Sequence, residues 1–401
     1  MSGESPHWRV NMYVCLAGSF TTLTAMAMII PFLPLYVEQL GVKDHAAIIQ
    51  WTAMGYSAAF FGAGIMAPIW GRAADLYGRK IVLMRASLAM AITTTLLGLV
   101  QNVEQLVALR LIMGLLGGYS SGAVVLIATQ TPKERTGWAL GVLSTGSMAG
   151  MLIGPLIGGT LPGWIGVRAT FLLLGALIFI AFIATSLLVK EDRSQYLKKN
   201  RASMRGAWSA IPDKRWVFAL LGAAMLLLFA NMSIEPIITL YVSGLVGTER
   251  AVFFAGLVMS VTAVGAIITA SRLGKLTDRI GPPRVIVACL SITGLLLIPQ
   301  AFVTQGWQLL VLRFLMGMTL AGLMPAISAG LRLAAPTQAI GLVLGYSISA
   351  QYAGQVLGPL AGGFVAGHFG MRAVFLATTA VLLVAAATTW IMERNRVASA
   401  G

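Results

Sequence analysis

The sequence predicts an all-α integral membrane protein of twelve transmembrane helices, grouped as two six-helix bundles related by a pseudo-twofold. Three observations predict it: an apolar composition, a ladder of basic residues on alternate loops, and an internal repeat. Of 401 residues, 58% are apolar and 10% are charged, whereas a soluble domain carries about 25% charged residues. Twelve helices of about 20 residues need roughly 240 apolar positions, close to what this chain supplies. Helices are the default because lipid cannot satisfy a free backbone, and the runs are too long and too uniformly apolar for barrel strands.

The first apolar run, Val10 to Tyr36, gives a helix over 10–37. It is longer than a signal-peptide core and no small-residue cleavage site ends it, so it reads as a retained span. A second helix, 47–70, starts beyond Lys43 and stops at Gly71-Arg72, and a third, 81–101, follows Arg79-Lys80. The fourth, 105–129, contains Arg110; the fifth, 137–161, is glycine-rich; the sixth, 168–189, closes at Lys190. The polar segment 190–215, with Lys198, Lys199, Arg201 and Arg205, reads as a cytoplasmic linker between an N-terminal bundle, 1–189, and a C-terminal bundle, 216–401. The second set of helices is predicted over 216–242, 250–273, 284–304, 306–332, 339–365 and 372–392.

With twelve spans, both termini share one side and the loops alternate between two compartments. One set of loops and flanks holds 22 of the 28 Lys and Arg residues, Arg85 among them; the other holds Lys43, Arg168, Arg250 and Arg372. That bias places both termini in the cytoplasm and the chain in a bacterial inner membrane. It also accounts for the net charge of +15 without nucleic acid, since the charges sit where orientation needs them. Cys15 and Cys289 lie in apolar runs without CxxC spacing and read as packing residues, not as a disulfide or metal site. No cofactor or metal is expected, and no GxxxxGK[ST] loop is present, which excludes a nucleotide-driven motor in this chain.

Self-comparison supplies the strongest organisational signal. Pro31, Leu35, Tyr36 and Val37 match Pro236, Leu240, Tyr241 and Val242; Gly71, Asp75 and Gly78 match Gly274, Asp278 and Gly281. Arg110, Met113 and Gly114 match Arg313, Met316 and Gly317, while Gly154-Pro155 and Gly158-Gly159 match Gly358-Pro359 and Gly362-Gly363. These ordered matches show a duplicated six-helix unit. Parallel halves of this kind place a ligand site between them near the midplane and rock to expose it alternately.

Four segments then resemble a known family. Gly71-Arg72-Ala73-Ala74-Asp75-Leu76-Tyr77-Gly78-Arg79-Lys80 is similar to the loop signature of the major facilitator superfamily, and Leu106 to Gly114 around Arg110 resembles its span-four motif. Gly150 to Gly159 resembles the span-five motif of its antiporters, and Pro31 to Tyr36 adds to a likeness to the twelve-span drug:proton antiporters. The resemblance implies multidrug efflux in exchange for protons, a monomer, and partners limited to small lipophilic molecules, protons and lipid. It also implies that the loop Gly71, Arg72, Asp75, Gly78, Arg79 and Lys80 locks the cytoplasmic side, with Asp75 at the N-terminus of span three. Ala73 and Leu76 depart from that signature, and Pro282-Pro283 replace Arg79-Lys80 in the second copy, which is expected to be mainly structural.

In span five, Gly146, Gly150, Gly154 and Gly158 recur every fourth residue, clearing one helix face for close contact. Pro155 favours a bend. The resemblance implies that Gly150, Gly154, Pro155, Gly158 and Gly159 form a bendable contact between the halves that favours antiport.

Ionisable groups inside spans are scarce and costly, about 2.5–3.5 kcal/mol each on insertion scales. Among 13 acidic residues, Glu235 alone lies well inside a span, and Arg110 and Arg313 are the basic ones. Glu235 is seven residues from Val242 and Arg110 six from Glu104, so at about 1.5 Å per residue both lie roughly 10 Å below the outer surface. Glu235 is therefore the expected proton carrier, with Arg110 as its coupling partner and Arg313 as a second possible one. A static ion pair is the competing reading. His7, His45 and His368 lie outside span interiors, which leaves a histidine relay unsupported. Expected drug contacts are Asn231, Glu235, Tyr119, Gln351 and Tyr352, with the 20 methionines as adaptable surface. A dedicated metabolite exporter or a symporter is the main alternative. An enzyme would need clustered catalytic groups near a membrane face, and a channel would conduct without saturation.

Overall fold

The computed structural model describes residues 7–132, 134–191 and 208–400. Among these the chain is helical, with α1 Trp8–Gln39, α2 His45–Tyr77, α3 Arg79–Leu97, α4 Val103–Leu116, α5 Tyr119–Gln130, α6 Thr136–Ile165 and α7 Val167–Leu188. Then follow α8 Lys214–Val246, α9 Thr248–Ile280, α10 Pro282–Gln300, α11 Gly306–Ala334, α12 Ile340–Phe369 and α13 Met371–Ala400. Each predicted span has its helix, except that span four is divided into α4 and α5. The predicted linker 190–215 lies mostly outside the described residues.

Among the described residues, eleven helical stretches are long and apolar enough to cross a membrane, counting α4 and α5 as one. The predicted span eleven, α12, has the length but not the mean hydropathy, because Ser347, Ser349, Gln351, Tyr352 and Gln355 interrupt its apolar run. Helices run past the predicted ends where the loop motif continues them: α2 reaches Tyr77 and α9 reaches Ile280. Gly78 and Gly281, with φ of 100° and 87°, make the breaks that follow, a left-handed conformation that side chains other than glycine rarely adopt.

The described chain forms two compact units. One holds α1, α2 from Met54, α3 to α7, and Ala255–Ser260 of α9; the other holds Asp44–Ala53, α8, the rest of α9, and α10 to α13. In the first unit α1 packs chiefly on α6 and then α7, and in the second α8 packs chiefly on α12 and then α13. The duplication reappears as matched bonds within each unit. Tyr36 donates to Leu97 O at 2.6 Å, and its partner in the repeat, Tyr241, donates to Gln300 O at 2.7 Å. In both cases a phenol satisfies a carbonyl in the last turn of a helix, one of the groups a helix cannot satisfy itself. The rings of Phe171 and Phe375 lie 5.3 Å and 4.9 Å from those two tyrosine rings. Within α1, Pro34 has no N–H to offer Ile30 O, and Tyr56 donates to that oxygen at 2.9 Å.

Candidate functional site

The segment 71–80 is not a loop but two helix ends meeting at Gly78. Gly71 to Tyr77 complete α2, and Arg79 and Lys80 begin α3. Gly71 serves no close approach among the described residues, since a side chain there would meet none of them within 4 Å. Arg72 is exposed, and Asp75 is exposed in the last turn of α2, 3.9 Å from Arg79. Asp75 therefore does not occupy the N-terminus of span three as expected. Glu191 does: its carboxylate accepts from the backbone N–H of Arg79 at 2.6 Å and of Lys80 at 3.1 Å. A carboxylate accepting the free N–H groups of a first turn is favoured by both hydrogen bonding and the helix dipole. Arg79 is buried and donates to Val125 O at 2.9 Å and to the Thr129 hydroxyl. Asn11 and the Lys190 backbone exchange two further bonds, of 2.7 and 2.9 Å. The start of the linker is thus tied to α1 and α3.

The glycine face of span five packs on α1. Side chains at Gly150 and Gly154 would lie 2.8 Å from Phe20 O and Thr24 O, and one at Gly158 would meet Met28 O. The expected contact between halves is therefore, for this face, a contact with α1 inside one unit. Pro155 and Gly159 lie against Gly256, and the Ser260 hydroxyl donates to Leu152 O at 2.7 Å. In the second unit Gly354, Gly358 and Gly362 sit against the α8 backbone in the same manner.

Arg110 is buried; its Nε donates to Gly55 O at 3.2 Å and its guanidinium lies 5.6 Å from the Tyr56 ring. Glu235 is half-buried in α8, close enough to Arg313 of α11 to act on its guanidinium electrostatically. Arg313 is 7% exposed, and its Nε and Nη2 have no hydrogen-bond partner among the described residues. A buried guanidinium with unsatisfied donors beside a carboxylate is a costly arrangement, and such groups concentrate where charge changes hands.

Tyr119, expected as a drug contact, is packed between helices. It is 1% exposed, its ring fills the notch over Gly18, and its hydroxyl shares a 2.8 Å bond with Thr185. Asn231 borders a tight apolar recess with Leu227, Thr293, Met316 and Thr378, which leaves no room for a water molecule, against the roughly 300–1,000 Å³ of drug-sized sites. Gln351 and Tyr352 are half-buried on α12, and Gln351 donates to Ser347 at 3.3 Å. Cys15 and Cys289 are free thiols buried in the packing.

Two features escaped the sequence reading. Glu191 is an acid at the edge of a basic run, with no local pattern to mark it. Arg85, grouped with the loop charges, lies six residues inside α3, its guanidinium 3.3 Å from the Trp70 ring centre. Its helical position relative to Lys80 was the available signal.

The sequence model of the Major Facilitator Superfamily matches residues 15–254 and again 220–400. The chain is similar to the multidrug resistance protein MdtG of Proteus mirabilis, 42% identical over 97% of each chain. It is likewise similar to MdtG of Serratia proteamaculans, 43% identical over 97% of this chain and 95% of that one. Among solved structures, a bacterial homologue of the human lysosomal transporter Spinster aligns over 98% of both chains with a TM-score of 0.78 at 16% identity. The nucleoside transporter NupG aligns over 95% of this chain with a TM-score of 0.77 at 16% identity.

Proposed function

Because the chain belongs to the Major Facilitator Superfamily and is a multi-pass membrane transporter, not an enzyme, we propose that it exports lipophilic, often cationic, small molecules in exchange for protons. The exchange proceeds by alternating access across a bacterial inner membrane, with the proton gradient as its energy source. The MdtG relatives, which this chain matches nearly end to end, support multidrug efflux. The observation that carries proton coupling is Glu235, a carboxylate inside a span, within electrostatic reach of the buried Arg313.

Drug enters from the cytoplasm or inner leaflet while Glu235 is ionised, and the arriving cation competes with Arg313 for the carboxylate. Once the site opens outward, protonation of Glu235 removes the charge that held the drug. The proton then leaves inward on return. A ligand moves a conformational equilibrium only through differential affinity for its states, and one titrating charge supplies that difference. One proton exchanged for one monovalent cation is electroneutral.

The test is uphill dye export by the Glu235→Gln variant in vesicles carrying an imposed pH gradient. Gradient-driven export should fall to the leak, and detergent-solubilised variant should release no proton on adding dye, while its melting temperature confirms folding. Undiminished uphill export overturns the proposal.

A further inference from the structure

Span four is one run of sequence but two helices. α4 stops at Leu116, Gly117 is extended with φ −72° and ψ −161°, Gly118 is left-handed with φ 104° and ψ 25°, and α5 begins at Tyr119. Its counterpart in the repeat, α11, runs unbroken from Gly306 to Ala334. At the repeat offset, Gly117-Gly118 correspond to Leu320-Ala321, Trp70 to Leu273, and Arg85 to Ala288. The break and the two side chains beside it are thus present together in one copy and absent together from the other.

Their chemistry explains the association. A helix that stops leaves its last carbonyls unpaired. The Trp70 indole N–H donates to Leu115 O at 2.7 Å, and Arg85 Nη2 donates to Gly117 O at 3.1 Å. The guanidinium stacks on the indole, 3.3 Å from its ring centre, so each holds the other in place. In the unbroken copy Leu273 packs against Gly322 instead. A side chain at Gly117 would press on Met113 O at 2.9 Å, so space calls for glycine there, whereas Gly118, with Ser121 Oγ at 3.6 Å, needs glycine for its left-handed backbone.

Gly118 and Ser121 are exposed, and Ser121 donates to Gly118 O at 3.0 Å. Irregular backbone at membrane depth is not tolerated against lipid; it is buried in protein or faces water. Arg85 adds two donors, Nε and Nη1, that have no hydrogen-bond partner among the described residues. We propose that Gly117-Gly118 is a water-lined joint of the transport pathway at which α5 moves relative to α4, and that Arg85 is the positioning residue which, stacked on Trp70, holds the end of α4. The proposal rests on the transport function and adds a moving part to it.

The full chain in nanodiscs tests this by amide exchange and transport. Amides 118–122 should exchange about tenfold or more faster than amides 321–325. Replacing the four residues by their counterparts, Trp70→Leu, Arg85→Ala, Gly117→Leu and Gly118→Ala together, should slow the first set to the rate of the second. Export should then fall with drug binding and melting temperature retained. Arg85→Gln alone should raise exchange at 113–121 and slow export, and Arg85→Lys should restore neither, since an ammonium lacks the stacked plane. Equal exchange of the two segments in the native chain, or full export by the four-residue variant with span four healed, overturns the proposal. If the native chain exports nothing, the transport reading fails, and the exchange contrast still decides whether the joint exists.

Discussion

Tyr119 is fixed on two sides, by the ring lodged over Gly18 and by the hydroxyl shared with Thr185, which itself donates to Ala181 O at 2.7 Å. Removing the phenolic oxygen deletes one buried hydrogen bond while leaving Thr185 its own. The Tyr119→Phe variant should therefore be destabilised by about 1 kcal/mol, read as a lowered melting midpoint in detergent, with its range of exported dyes unchanged. A narrowed range would return Tyr119 to the drug site. Glu235 was legible in the sequence because a carboxylate inside an apolar run has no inexpensive explanation. The packing of Tyr119 was not legible because an amphipathic ring reads alike whether it faces a ligand or a neighbouring helix. Glu191 was invisible because the helix end that it caps lies 111 and 112 residues away in sequence.

At the scale of elements, α6 approaches α1 closely because glycines clear one face, and α12 approaches α8 in the same way. The four-residue spacing made that face legible in the sequence. Its partner was not, since spacing along one helix carries no information about which helix fills the groove. A methyl group at Gly158 would press on the Met28 carbonyl, backbone that cannot rotate aside. Gly158→Ala should cost about 1–3 kcal/mol. At Gly163, in the same helix, a side chain meets nothing within 4 Å, so Gly163→Ala should be neutral or stabilising by up to about 1 kcal/mol. Thermal unfolding of the two variants side by side checks the contrast, and equal effects would remove the packing argument. The break in span four was hidden for another reason. Gly-Gly in an apolar run also occurs in membrane helices that stay intact, and the residues that complete the clasp come from α2 and α3.

For the whole molecule, duplication was the most legible property: the matched residues at offsets of 203 to 205 reappear as matched Tyr36 and Tyr241 bonds. The copies then diverge in use. One carries Glu235, a carboxylate inside a span; the other carries the broken helix and its Arg85 clasp. The charge ladder predicts that both termini face the cytoplasm. A fluorescent protein fused at the C-terminus should therefore be bright in cells, and an alkaline phosphatase fused there inactive. The reverse pattern would invert the topology. The helix α12 bears on how such a chain is made. It lacks the mean hydropathy of the other eleven stretches, so the insertion machinery gains little by releasing it into lipid on its own. Its seating rests on α8, the helix that it packs against chiefly. The span with the least hydropathy of its own is thus held in the bilayer by a companion made before it.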